Sequence, residues 1–179
     1  KEKQLFESIG IPTAAYVQIN KSEDLNSVEE KLGWPVVLKS RRLGYDGRSQ
    51  HVVDSNSSLK SAWDSLKQVP AIAESWVNFE RELSLIGVRG INGEIVCYPL
   101  SENVHKEGIL RTTVAPYEDT ELHNIAQNWL FSIMEKFDYR GVLTVEFFHT
   151  EQGLVANEMA PRVHNSGHWT IEGAETSQF

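Results

Sequence analysis

The stretch GVLTVEFFHTEQGLVANEMAPRVHNSGHW, residues 141–169, decides how the chain is read. Its first ten residues alternate, with Leu143, Val145 and Phe147 on one face of a strand and Val142, Thr144, Glu146 and Phe148 on the other. LVANEMA resumes the extended pattern after Glu151-Gln152-Gly153, so the two runs form a hairpin. If Thr150 pairs with Leu154 around a three-residue loop, Glu146 lies directly opposite Glu158. Cβ atoms so paired sit about 5 Å apart, and two carboxylates there destabilise a sheet unless something neutralises them. Two readings stand. Either both carboxylates hold a divalent cation, as Mg²⁺ is held together with phosphate oxygens, or one Glu turns to solvent and pairs with an Arg. Asn157 adds an oxygen to the first arrangement if a small bulge turns it inward. A four-residue loop would shift the register by one and weaken the pairing.

From Asn157 to His168 the chain gathers a carboxylate, a guanidinium, two imidazoles, two amides and a hydroxyl, punctuated by Pro161 and Gly167. His164 and His168 have the spacing that binds zinc from a helix, but Pro161 and Gly167 oppose a helix there and no Cys is nearby. A triad around Ser166 lacks the strand-to-helix elbow that would expose the hydroxyl.

Working outward, residues 119–137 place Leu122, Ile125, Ala126, Trp129, Leu130, Ile133, Met134 and Phe137 on one helical stripe, which predicts a core-facing helix. KEKQLFESIG reads as a helix closed by Gly10. Ser22 reads as the N-cap of a second helix ending at Gly33. PVVLKSR and HVV are strands around the glycine-bearing loop GYDGRSQ. LKSAWDSLK is a helix, AIAESWV a strand, and Asn92-Gly93 a tight turn between ELSLIGVRGI and EIVCYPL. Residues 109–115 add a strand. Trp76 and Trp129 are expected in the core. This alternation predicts an α+β fold with largely antiparallel sheets.

In KSRRLGYDGRSQ, Lys39 and Arg41 share a strand face and Gly44 and Gly47 follow. Glycines let backbone N–H groups approach an anion, but strand, loop, strand replaces the strand, loop, helix of a P-loop. The stretch is either a flap over phosphates or a hairpin turn with a solvated basic rim.

The 179 residues carry a net charge of −8 with 40% hydrophobic side chains, enough for one compact domain or two small ones. That charge disfavours a nucleic-acid surface, which needs clustered Lys and Arg. No run reaches the ~20 apolar residues that cross a bilayer, and no membrane partner is expected. A single cysteine, Cys97, cannot form an internal disulfide, so a reducing, cytoplasmic setting is expected. The start at Lys1 and the stop at Phe179 suggest a fragment of a larger chain.

Taken together, LKSRRLGYDGRSQ, AIAESWVNFERELSLIGVRG, YPLSENVHKEGILRTTVAP, LTVEFF and NEMAPRVHNSGHWTIEGAETSQF resemble the ATP-grasp portion of the N5-carboxyaminoimidazole ribonucleotide synthase family, from KQLF to TSQF. The His-Asn-Ser-Gly-His segment is the most specific part. The resemblance implies an ATP-grasp fold of two α+β subdomains gripping ATP: residues 1–76 as the smaller, with the phosphate flap, and 77–179 as the larger. The resemblance implies further that the family's N-terminal Rossmann-like and C-terminal domains are not part of this stretch. It also implies a purine-biosynthesis ligase that uses MgATP and bicarbonate to carboxylate 5-aminoimidazole ribonucleotide through carboxyphosphate, and a homodimer for the full-length enzyme. Two alternatives remain: another ATP-grasp carboxylate–amine ligase of the formate-dependent type, or a non-catalytic nucleotide-binding module.

Carried over by residue, the resemblance implies that Lys39 meets the ATP phosphates and that Gly44, Tyr45, Asp46, Gly47, Arg48, Ser49 and Gln50 form the flap. Tyr45, Asp46 and Arg48 also face the ribonucleotide. Glu74, Ser75, Trp76 and Val77 read adenine, Glu82 accepts the ribose hydroxyls, and His105 lies near the nucleotide. Glu146 and Glu158 bind Mg²⁺ beside Asn157, while Arg162, His164 and Asn165 surround bicarbonate. Leu43 and Ser49 replace glycines common in the family, which implies a stiffer or differently angled flap.

Overall fold

The structure, a computed structural model, describes residues 1–42 and 50–179. Residues 43–49, and with them the expected roles of Gly44, Tyr45, Asp46, Gly47, Arg48 and Ser49, lie outside the described residues. In chain order the elements are α1 (Glu2–Ser8), β1 (Tyr16–Ile19), a 3₁₀ turn (Ser22–Ser27), α2 (Val28–Leu32), β2 (Val36–Ser40), β3 (Gln50–Val53), α3 (Asn56–Ser65), β4 (Ala71–Ser75), β5 (Arg81–Arg89), β6 (Ile95–Cys97), β7 (Ser101–Lys106), β8 (Ile109–Val114), α4 (Thr120–Lys136), β9 (Gly141–Thr150), β10 (Gly153–Ala160), a second 3₁₀ turn (Asn165–Gly167) and α5 (Thr170–Gly173).

The chain divides into two compact units: Ala14–Val77 with Glu107–Ile109, and Lys1–Thr13 with Asn78–Lys106 and Leu110–Phe179. The expected boundary after residue 76 is thus off by one position, and residues 1–13 belong to the larger unit rather than the smaller. The reason is apolar packing: Leu5, Phe6 and Ile11 are buried in the same cluster as Leu130 and Phe147.

The smaller unit is a four-stranded antiparallel sheet ordered β1-β4-β2-β3. Its core joins Ile19, Val36, Leu38, Ala71 and Ala73 to Val28, Leu59 and Trp63 from the helices. Ser55, one residue outside α3, accepts the Ser58 N–H and starts that helix three residues earlier than its apolar pattern suggests. The first 3₁₀ turn begins with Lys21, not Ser22, as its cap, because the Asp24 carboxylate takes the Asn20 and Lys21 N–H groups.

The larger unit is a six-stranded sheet ordered β10-β9-β5-β7-β8, with β6 also on β5. SENVHK, not read as a strand above, becomes β7 by pairing with β5. Against one face lies α4, capped by the Asp119 carboxylate on Leu122 N–H at 2.9 Å. Leu122, Ala126, Leu130, Ile133 and Met134 of α4 are buried against Leu83, Leu85, Leu143, Val145 and Phe147. Phe137, expected on this stripe, is 58% exposed because the helix ends one residue before it. Trp76, expected in the core, is 44% exposed just beyond the end of β4. Cys97 packs on the core, and burial pushes its thiol up to about 11, so it stays protonated. Among the described residues no helix is long and apolar enough to cross a membrane.

The decisive hairpin differs from expectation in its loop. Thr150 pairs with Gly153, not Leu154, so the turn holds two residues and Gly153 takes φ +112. The ladder then runs Leu154↔His149 to Ala156↔Phe147, which turns Leu154 and Ala156 into the core rather than onto the polar face. A β-bulge between Ala156 and Glu158 skips Asn157 and restores Glu158↔Glu146. Without that extra residue the register would bring Glu158 opposite Val145, on the core face.

Candidate active site

The face of the larger sheet away from α4 is polar. Ser101, Ser84, Glu146 and Glu158 stand abreast on β7, β5, β9 and β10. One step along, Asn103 and Glu82 pair on β7 and β5, with His105 two residues further on β7. Strand alternation produces this face on β5 and β9, where Glu82, Ser84 and Glu146 each adjoin a buried aliphatic residue, and the β10 bulge adds Glu158 to it.

At its centre, ligand atoms of Glu146, Glu158 and His164 all lie within 4.8 Å of one another. His164 is buried, Glu146 half-buried and Glu158 exposed. The His164 Nδ1 accepts from the Ser166 N–H at 3.3 Å and lies 2.9 Å from its Oγ. A nitrogen that accepts carries no proton, so the ring proton sits on Nε2, which lies 3.3 Å from Glu146 Oε1. Burial pushes the His164 pKa down to about 4, with the charges of Arg162, His105 and His168 adding to the effect. The contact sets the protonated nitrogen of a neutral imidazole beside a carboxylate, and in this tautomer His164 is not a third metal ligand.

Two carboxylates with a protonated nitrogen behind one of them make an oxygen donor set for a hard cation. Ser84 Oγ, across from Glu146, and Thr144 Oγ1, two residues before it, are buried with no hydrogen-bond partner among the described residues. They leave further oxygen capacity beside the pair. The residues therefore fit Mg²⁺, and neither a nearby thiolate nor an available imidazole favours zinc.

Glu82 and His105 form a close carboxylate–imidazole pair through Oε2 and Nδ1. The Glu82 hydrogen bond raises the His105 pKa, burial opposes it, and the charges of Glu82, Glu146 and Glu158 reinforce it. The two histidines of this face are thus driven in opposite directions.

The segment after Ala160 is held by a residue to which the sequence reading gave no role. The Gln178 carboxamide accepts the His164 N–H at 3.0 Å and donates to the His164 carbonyl at 2.7 Å. Its own N–H donates to Thr170 Oγ1, which donates to the Gly167 carbonyl at 2.7 Å. Arg162 and Asn165 are exposed, and the Arg162 guanidinium donates to the Val163 carbonyl at 2.8 Å. Lys3 is the second omission. It is buried, and its ammonium donates to the Asn157 carbonyl at 2.8 Å. In a helix pattern such a Lys reads as surface, and no local signal distinguishes it.

In the smaller unit, Lys39 on β2 pairs with the buried Glu74 on β4 at 2.9 Å. Val37↔Glu74 and Lys39↔Ile72 put both side chains on one face. Gln50 opens β3 opposite Lys39. At the end of β4, Ser75 N–H goes to the Ala15 carbonyl, and just past it Trp76 N–H goes to the Pro35 carbonyl. Val77 N–H, next in line, has no backbone partner among the described residues.

A family model for the ATP-grasp domain matches residues 4–179. An N5-carboxyaminoimidazole ribonucleotide synthase of Pseudomonas aeruginosa is 46% identical over 178 residues, covering 99% of this chain and 49% of that protein. The N5-carboxyaminoimidazole ribonucleotide synthetase of Thermus thermophilus superposes with a TM-score of 0.89 at 44% identity, over 98% of this chain and 48% of its own. The Aspergillus clavatus N5-carboxyaminoimidazole synthase, in complex with ADP and 5-aminoimidazole ribonucleotide, gives 0.87 at 34% identity, over 98% and 46%. The chain spans about half the length of the curated relatives it matches. With the family model matched from residue 4 to the end, on antiparallel sheets that carry the paired carboxylates, the chain belongs to the ATP-grasp family.

Proposed function

We propose that the chain is the ATP-grasp part of an N5-carboxyaminoimidazole ribonucleotide synthase. Bicarbonate attacks the γ-phosphorus of ATP, giving carboxyphosphate and ADP. The exocyclic amine of 5-aminoimidazole ribonucleotide then takes up the carboxyl group, and phosphate leaves. The observation that carries this reading is the Glu146–Glu158 pair, backed by the Nε2–H of His164, in a chain 46% identical to such a synthase.

Glu146 and Glu158 would hold Mg²⁺, with Asn157 beside them; when bound, the ion neutralises charge on the nucleotide phosphates. His164 keeps one Glu146 oxygen occupied and so orients its carboxylate. Lys39 supplies charge to the phosphates from a position set by Glu74. The adenine edge meets the backbone where the strand's own hydrogen bonds stop, at Val77 after Glu74, Ser75 and Trp76. Glu82 takes the ribose hydroxyls with its carboxylate oriented by His105. Arg162 and Asn165 donate to bicarbonate, the Arg through its planar fork. Gly44, Tyr45, Asp46, Gly47, Arg48, Ser49 and Gln50 form the flap, with Tyr45, Asp46 and Arg48 toward the ribonucleotide. The intact protein would be a cytoplasmic homodimer.

The test is ADP release by the intact protein, with bicarbonate and the ribonucleotide each omitted in turn and formate offered in place of bicarbonate. Release should require both substrates and vanish in Glu158→Gln. Release that persists without the ribonucleotide, or that formate supports equally, overturns the assignment.

A further inference from the structure

β10 is the outermost strand of its sheet, and its bulge is what turns Glu158 away from the core. An edge strand leaves N–H and C=O groups on its outer side that need partners, and a bulge adds to them. Here residues 1–13 supply those partners. Ala156 N–H donates to the Pro12 carbonyl at 2.8 Å, and Thr13 Oγ1 donates to the Ala156 carbonyl at 3.0 Å. Met159 N–H donates to the Glu2 carboxylate. The Lys3 ammonium reaches the carbonyls of Asn157 at 2.8 Å and Ala156 at 3.5 Å, spanning the skipped residue. Lys3 is only 5% exposed.

Burying an ammonium is costly unless several acceptors surround it. Anchoring a short helix does not need one, because Leu5 and Phe6 already fix α1 in the core. Consecutive carbonyls at a bulge are another matter, since one ammonium with three donors can bond the Asn157 carbonyl and still reach that of Ala156, which Thr13 also serves.

We propose that Lys3 is a positioning residue for the cation site: by clamping the Ala156 and Asn157 carbonyls it holds the β10 bulge in the register that brings Glu158 beside Glu146. This rests on reading that pair as the Mg²⁺ site. Without the clamp the bulge is free to shift or open, and Glu158 is no longer held beside Glu146. Lys3 is thus tied to metal affinity, not only to stability.

The experiment uses the intact protein, with Mn²⁺ as a spectroscopic substitute for Mg²⁺ and ADP as the nucleotide. Lys3→Met keeps the apolar stem and removes the charge. Mn²⁺ affinity in the presence of ADP should fall about tenfold, the size expected for loss of an outer support of a metal ligand. ADP affinity without metal should stay unchanged, and amide exchange at Met159 should accelerate. Lys3→Arg, which can still donate to two carbonyls, should recover most of the loss. If Lys3→Met does not fold, Lys3→Gln, which donates to one carbonyl, gives the same readout. Mn²⁺ affinity within twofold of wild type in a folded variant overturns the proposal. Mn²⁺ binding that survives Glu158→Gln unchanged overturns the metal reading itself, whatever Lys3 does.

Discussion

The Ser166 N–H aimed at Nδ1 of His164 leaves that ring one place for its proton, and burial keeps the ring neutral down to about pH 4. Nitrogen-15 spectra of the metal-free protein should therefore show His164 as the Nε2–H tautomer, with no titration between about pH 8 and 5. An Nδ1–H tautomer would remove it from its place behind Glu146. His105 runs the other way. Its pKa is raised above 6.5 in the folded state, so the protonated ring stabilises the fold. That contribution is complete below about pH 6.5 and is lost as pH rises through the raised value. The stability difference between wild type and His105→Gln, from urea titrations, should shrink steadily above that pH. A difference that stays constant to about pH 9 would show that Glu82 does not govern the ring.

The 161–179 segment carries the polar residues of the site on little regular structure, only a 3₁₀ turn and the single helical turn α5. Gln178 takes the place of a neighbouring strand, closing on both backbone groups of His164. Gly167 is required under it, because a Cβ there would lie 2.5 Å from the Gln178 carboxamide. Gly167→Ala should displace that carboxamide and leave the His164 backbone groups unsatisfied, at a cost of about 2 kcal/mol in denaturant unfolding. The His164 ring resonances should shift in the same variant. Unchanged stability and spectra would mean that the segment is held by other contacts. The β9–β10 hairpin makes a related point. Its two-residue turn by itself sends Glu158 into the core, and one skipped residue reverses that.

Each unit has its own core: Leu38, Leu59 and Trp63 in one, Leu83, Leu130 and Phe147 in the other. Leu130 is fully buried, so Leu130→Ala should cost about 2–5 kcal/mol. Amide exchange should then lose protection in β5 and β9 before β2 and β4; uniform loss would mean that the two cores unfold as one. By itself the sequence determined the elements whose signals are local: the α4 stripe, the alternation of β9, the Asn92-Gly93 turn and the α+β class, together with a family resemblance resting on quoted motifs. Those signals come from helical and strand periodicities that act over a few residues. Tertiary structure alone decided that 1–13 joins the larger unit, that SENVHK is a strand, and that Trp76 and Phe137 are exposed. It also decided which atoms support the carboxylate pair. Lys3 meets Asn157 across 154 positions and Gln178 meets His164 across 14. No periodicity spans such separations, and a charged or amide side chain is stable in the interior only when distant backbone supplies its partners.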